Sequence, residues 1–323
     1  MLLKEMLVRT KNPSSLKDFG RDAGLDEGLS VMDIAGRIAD SLLAEMPERM
    51  LILRDDDIAF FENSLAKTKP FVPAKANYAN ADRIRYLDYG AAIDKEMHFV
   101  IPEDVKETYQ KINTLQWQDK RRKISWLYEC MSLIPSLYAI INVKDLCSLY
   151  RKRHGFQETD KEIMTMLQQL LDRREDCPVY LEGEDLVVNG LKETGQEEKI
   201  RRLHENMPAG FPSYSEMKDI LDNRYPAKEK TYQQLKTYFL HQIRVHEDFI
   251  DALMEAVYQF IATGNTFSDT LKMIRNEQIP ISKDDEKELE EYMTRAWDHT
   301  RMLMCNGRRP CEIMPGNTYI FQQ

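Results

Sequence analysis

The stretch Val179-Tyr-Leu-Glu-Gly-Glu-Asp-Leu-Val-Val188 decides how the chain is read. Two short apolar runs flank Glu182-Gly183, a pattern that predicts a β-hairpin with glycine at the turn. Upstream, residues 160–174 and 143–154 carry helical patterning, and a third helix is predicted from 117 through 134. Three helices followed by a hairpin is the resulting order.

That order is the one a winged-helix unit adopts, with the helix at 160–174 in the recognition position. A related arrangement is expected nearer the N-terminus. Asp55-Asp56-Asp57 and Asp82 introduce helices over 58–65 and 83–90, and Met97-His-Phe-Val-Ile101 reads as a strand stopped by Pro102. Before it, Asn12-Pro13 opens a helix ending near Ala23, and Ser30 with Asp33 caps a second. That second helix carries Val31, Ile34, Ala35, Ile38 and Leu42 on one face as far as Pro47.

After a linker at 196–198 the pattern is helical to the end, over 214–223, 228–246, 247–263, 268–275 and 282–304. Apolar residues at 249, 250, 253, 254, 257, 258, 260 and 261 make a stripe too wide for a lone surface helix and predict a central place in a bundle. The expected fold class is mainly α: a multi-module helical protein with winged-helix-like units carrying short β-hairpins and a C-terminal helical bundle. The expected modules are a helical hairpin at 1–50, a small helical or winged-helix-like module at 51–116, a winged-helix-like module with a basic entry helix at 117–195, and the bundle at 196–323.

Composition agrees with that class. The chain has 323 residues, 42% hydrophobic and 31% charged, and only 13 Gly and 13 Pro leave few turns for a many-stranded fold. The longest charge-free run, 130–143, contains Pro135 and is too short to span a bilayer. The N-terminus has no signal-peptide pattern, and five cysteines without a CxxC pair suit reduced thiols, so a cytoplasmic location is expected. No GxSxG, HExxH, GxxxxGK[ST] or GxGxxG motif is present, and no catalysis is expected. Asp55-Asp56-Asp57 lacks the glycine and glutamate of a calcium loop, having Phe60 and Ala66 in their places. His299, Cys305 and Cys311 are soft ligand types at a spacing that fits no zinc knuckle, so neither metal nor cofactor is expected.

Charge is uneven. The net charge is −9, yet residues 117–156 carry 8 basic and 3 acidic side chains, net +5, and residues 157–199 carry 5 and 12, net −7. Trp117 and Trp126 flank Lys120-Arg121-Arg122-Lys123, and Arg151-Lys152-Arg153 ends the helix before the recognition position. Trp117, these four cations and the three at 151–153 are the candidate nucleic-acid contacts, the cations for phosphates and the indole for stacking. The acids that open the helix at 160 oppose groove reading. The expected function is a regulatory or adaptor role touching nucleic acid through 117–156. The alternative is a protein-interaction scaffold that binds no nucleic acid. No membrane partner is expected.

The tail Thr300-Arg301-Met-Leu303-Met-Cys305-Asn306-Gly307-Arg308-Arg309-Pro310-Cys311-Glu312 is the most distinctive part, with Gly307 expected as a left-handed helix cap. Arg301, Arg308 and Arg309 are candidate anion or partner contacts through their planar guanidinium groups. The tail resembles one shared by uncharacterised bacterial proteins common in Firmicutes, whose last helix ends close to NNTR-x-W-x-N-x-G-x-TP-x-EL, some with a SEC-C zinc motif following. Thr300, Arg301, Gly307, Pro310 and Glu312 match that run. Leu303, Cys305 and Arg309 replace its tryptophan, asparagine and threonine, and no SEC-C cluster follows. The first hairpin, Ser15-Leu-Lys-Asp-Phe19 to Leu43, resembles the helical module at the N-terminus of transcription terminator Rho, without Rho's OB-fold or phosphate-loop patterns. The resemblance implies architecture more than activity.

Overall fold

Local polar residues fix where many of the helices begin. Ser30, Asn142, Thr159, Ser213, Thr266 and Ser282 each accept a backbone N–H from the first turn of the helix that follows, filling donors that a helix start leaves open. The computed structural model describes residues 1–22, 24, 28–173 and 177–313. Over them the chain is mainly helical, with five short strands among the described residues. It forms two compact units, Met1–Trp126 and Leu127–Gln323, where four modules are expected from the sequence.

The first unit contains α1 (Leu3–Thr10), α2 (Pro13–Asp22), α3 (Val31–Arg49), α4 (Asp55–Leu65), α5 (Tyr78–Tyr86), α6 (Glu103–Ile112) and the beginning of α7 (Leu115–Ser132). Between α5 and α6 lie β1 (Ala91–Ala92) and β2 (Phe99–Val100), paired antiparallel. The helix α1 is unanticipated: its buried Leu3, Met6 and Leu7 sit at helical spacing, and it packs on α3. Pro47 does not end α3, which runs on to Arg49, and α5 begins at Tyr78 rather than at Asp82. The expected ends at Ala23 and Arg174 lie outside the described residues.

The hairpin expected at 1–50 and the module expected at 51–116 share one core. The helix α3 packs against both α1 and α6, and the buried Tyr89 hydroxyl donates to the Leu42 carbonyl at 2.7 Å. Phe60 meets Phe99 at 5.7 Å, Phe61 meets Tyr109 at 5.0 Å, and Tyr109 meets Trp117 edge-on at 6.0 Å. A hairpin of that length alone buries too little apolar surface to stand by itself. The run Asp55-Asp56-Asp57 fastens this unit. Asp57 is fully buried and accepts from Arg83 Nε at 2.6 Å, Asn80 Nδ2 at 2.9 Å and the Arg54 N–H at 3.0 Å. Burial pushes its carboxyl above the ordinary value against the pull of Arg83.

The second unit begins with the end of α7, then α8 (Ile134–Leu137), β3 (Ile140–Asn142), α9 (Val143–Tyr150), α10 (Asp160–Leu171), β4 (Val179–Glu182) and β5 (Asp185–Val188). The hairpin predicted at 179–188 forms, with Gly183 at φ +64° in the turn. The sheet is antiparallel throughout in the order β3-β5-β4. The expected linker at 196–198 is instead the start of α11 (Glu197–His204). This helix is so polar that only Ile200 is buried, which left no periodicity to read. Then follow α12 (Tyr214–Asn223), α13 (Lys230–His241), α14 (Glu247–Ala262), α15 (Phe267–Asn276), α16 (Lys283–His299) and α17 (Pro310–Ile313). The wide stripe of α14 is explained by its three neighbours, α13, α15 and α8. One apolar cluster joins Ala139, Ile140 and Val187 of the sheet region to Ile200 of α11 and Leu303 of the tail, so residues 127–195 and 196–313 also share a core.

No helix is long and apolar enough to cross a membrane among the described residues. Arg121, buried in the first unit, makes a sharp test of that unit's packing. Arg121→Ala is expected to destabilise residues 1–126 by roughly 2–4 kcal/mol, because it strands a buried carbonyl and removes a packed side chain. Arg122→Ala should stay within about 0.5 kcal/mol. Native-state hydrogen exchange of this unit's amides measures both.

Candidate functional site

The cations of the 117–123 segment are largely engaged by their own unit. Trp117 is only 9% exposed; its Nε1 donates to the Pro47 carbonyl at 2.8 Å. Arg121, 2% exposed, donates to the Leu53 carbonyl at 2.8 Å, to Gln118 Oε1 at 3.0 Å and to Asp55 Oδ1 at 2.5 Å. Both are core side chains, which corrects their expected place as surface contacts. The reason is amphipathic register: Trp117, Arg121 and Ile124 fall on the inward face of α7 at helical spacing. Lys120 pairs with Glu48 at 3.0 Å and Lys123 with Asp119 at 2.8 Å. Arg122 is exposed and has no ion pair among the described residues.

The cations at 151–153 belong to the second unit and brace the turn between α9 and α10. Arg151 donates through Nε and Nη2 to the Glu158 carbonyl, at 3.1 and 2.9 Å, and forms an ion pair with Asp160. Tyr150 donates to Glu158 Oε2 at 3.0 Å and meets the Phe156 ring edge-on. Lys152 lies 5.7 Å above the Phe211 ring, and the Arg153 guanidinium lies 4.5 Å above Phe156.

The tail is a buckle built on two glycines. The last long helix stops at His299, five residues short of its expected end. Buried Thr300 bonds the Ala296 carbonyl at 2.6 Å and the Tyr232 hydroxyl at 2.7 Å. Asn306 and Gly307 then both turn left-handed, at φ +50° and +73°. The turn lies against residues 207–210: Gly210 N–H donates to the Asn306 carbonyl at 2.8 Å, Asn306 Nδ2 to the Met207 carbonyl at 2.7 Å, and Tyr138 to the Gly210 carbonyl at 2.7 Å. A Cβ on Gly307 would stand 2.3 Å from the Tyr138 ring and 2.7 Å from the Gly210 oxygen.

Each tail arginine is engaged in the same buckle. Arg301 donates to the Gly307 carbonyl at 3.0 Å and to Glu216 at 3.2 Å, Arg309 donates to Glu216 at 2.6 Å, and Arg308 to the Pro208 carbonyl at 2.7 Å. Glu312 lies 3.8 Å from Arg301, and Pro310 is buried. Thr300, Arg301, Gly307, Pro310 and Glu312 thus all have structural work. Glu216, which the sequence reading passed over, is the hub. It also accepts the Ser213 N–H at 2.8 Å as half of a capping box. The Ser213-x-x-Glu216 signal was legible, but its second set of partners lies 85 and 93 residues away. Burial works to raise the Glu216 carboxyl, and the Ser213 N–H with Arg301 and Arg309 overcome it, leaving it below the ordinary value of 4.5.

A pocket of about 380 Å³ opens beside this hub, lined in part by Glu216, Arg301, Arg309, Lys228 and His299. His299 Nδ1 lies 3.0 Å from the Arg295 carbonyl, while Cys305 is buried and its thiol is pushed up to about 11 by burial. Among the described residues no group of three His, Cys, Asp or Glu side chains is placed to hold a metal ion. Comparison with family models, curated proteins and solved structures finds no match to this chain.

Gly307→Ala is expected to destabilise the second unit by at least about 2 kcal/mol, since the left-handed backbone alone costs ~1–2 kcal/mol with a Cβ. A urea titration followed by hydrogen exchange of residues 127–313 tests it. Because Glu216 ionises more readily in the folded chain, its contribution is complete above pH 4.5 and is lost as pH falls through the lower folded value. Glu216→Gln should therefore lower stability at neutral pH and shrink the difference from wild type under acid, as read from thermal midpoints across pH.

Proposed function

We propose that this chain is a non-catalytic protein-interaction adaptor rather than a nucleic-acid binder. The observation that carries the reading is the internal use of the side chains that would grip phosphates. Exposed ion pairs such as Lys120 with Glu48 are worth less than about 1 kcal/mol and could yield to a phosphate. Trp117 and Arg121 are buried, and Arg151 is held by three bonds.

Residues 134–188 are best read as a winged-helix-like unit. Supporting this are the order helix, strand, two helices, hairpin, and a sheet in which the first strand pairs with the last. In unit 1 the two-residue strands β1 and β2 are too short for a comparable wing, so the reading is confined to the second unit. In this frame α10 holds the recognition position. Its exposed residues are Asp160, Lys161, Glu162, Thr165 and Gln168, a face that repels a phosphate backbone and leaves a protein as the fitting partner.

Fluorescence anisotropy with a labelled single-stranded RNA and a labelled DNA duplex tests the reading. Dissociation constants no tighter than about 10⁻⁴ M near physiological salt are expected. Tight binding that weakens steeply from about 50 to 200 mM salt and is lost in a Lys120→Ala, Arg122→Ala, Lys123→Ala triple variant would return the function to nucleic acid.

A further inference from the structure

The strand β3 is an edge strand among the described residues, because the sheet order β3-β5-β4 leaves one of its sides without a neighbouring strand there. Its backbone polarity is set by its pairing. Val188 N–H donates to the Ala139 carbonyl at 3.0 Å, Val143 N–H donates to the Glu184 carbonyl at 2.9 Å, and Ile141 stands opposite Leu186. The Ala139 carbonyl, Ile141 and the Val143 N–H therefore face β5, while the Ala139 N–H donates to the Ile134 carbonyl at 2.8 Å. Antiparallel alternation turns the N–H and C=O of Ile140 the other way.

A cleft of about 620 Å³ is lined by Ile140, Ile141 and Asn142 of β3, by Asp185 of β5, and by residues 204–209 and Asn306. The buckle of the tail holds its far wall, through Asn306 to the Met207 carbonyl and Gly210 to the Asn306 carbonyl. Its charge is negative. Asp145, Asp185 and Glu205 line it against Arg201 alone, and Arg201 is bonded to Glu182, Asp185 and Glu197. Burial keeps the neighbouring His204 below its ordinary value, so it adds no cation at neutral pH. Asp145 is half-buried and makes no hydrogen bond or ion pair among the described residues, and burial raises its carboxyl.

We infer that this cleft is a strand-addition site that takes a short extended segment of a partner protein bearing a lysine or arginine. The segment's main chain pairs with Ile140, and its cationic side chain meets Asp145 and Glu205. Backbone pairing supplies affinity and the carboxylates supply selection, the division of labour usual in such docking. The inference deepens the adaptor reading and rests on it.

Two measurements on the full chain test it. In amide hydrogen exchange of the free protein, Ile140 should exchange fast while Ile141 is protected. Slow exchange at Ile140 overturns the open edge. Where that protection is relieved by removing residues 314–323, or by dilution, the occupant is the chain's own end or a second copy instead. The second probe is an array of short peptides alternating valine with lysine or arginine, beside versions with glutamate for the basic residue and versions N-methylated at the central amide. Capture of the basic peptides is expected, weakened about tenfold by N-methylation or by Asp145→Asn in the protein, a loss the size of one charge-assisted contact. Equal capture of acidic or N-methylated peptides, indifference to Asp145→Asn, or no capture overturns the site. The nucleic-acid titration separates the two failures, since the adaptor reading falls only if that titration shows tight, salt-sensitive binding.

Discussion

The second unit depends on the approach of two backbones at Gly307 and Gly210. With no side chain on either residue, the tail turn comes close enough for Asn306 to exchange bonds with residues 207 and 210 and for Tyr138 to reach the Gly210 oxygen. Everything polar nearby follows from that approach. Arg301, Arg308 and Arg309 reach carbonyls and Glu216 because the turn brings them there. Leu303 reaches Ile140 and Ile200 for the same reason. A single methyl group at position 307 would separate these layers, and no rotation of a flexible side chain could make room, since one of the obstructing atoms is itself backbone.

The fate of the cations shows why local charge is a weak guide to function. A net of +5 over forty residues looks like a phosphate-binding surface when neighbours in sequence are the only neighbours known. In the folded chain Lys120 and Arg121 meet acids 72 and 66 residues earlier. Those acids sit at the end of α3 and the start of α4, where helix geometry presents them to α7. Asp55-Asp56-Asp57 is the counterpart: an acidic run suggestive of a cation loop, here consumed by Arg121, Arg83 and Asn80. The two clusters answer each other within one unit, with Arg121 and Asp57 buried and Asp55 and Asp56 largely exposed.

Much of the secondary structure was legible. Ser30 with Asp33, Thr159 with Glu162 and Ser213 with Glu216 are short-range capping signals, and the helices they announce begin where those residues stand. The hairpin at 179–188 was readable because a glycine with positive φ and flanking apolar residues leave few alternatives. The helices α1 and α11 were not, since each offers only one to three buried residues and draws its stability from a neighbour. The end of α16 was misplaced because Thr300 stops it through a bond to Tyr232, a residue 68 positions away.

Sequence alone determined the class of protein: mainly helical and cap-rich, with a β-hairpin at 179–188. Those features rest on interactions within a few residues, which the order of side chains specifies directly. Tertiary structure decided which charges remain available, which strand keeps an open edge and what the tail motif is for. Each depends on groups distant in sequence, such as Arg121 and Asp55 at 66 residues apart, or Glu216 and the tail arginines at 85 and 93. No local pattern encodes such a pairing, because the partner's position is set only when the core closes.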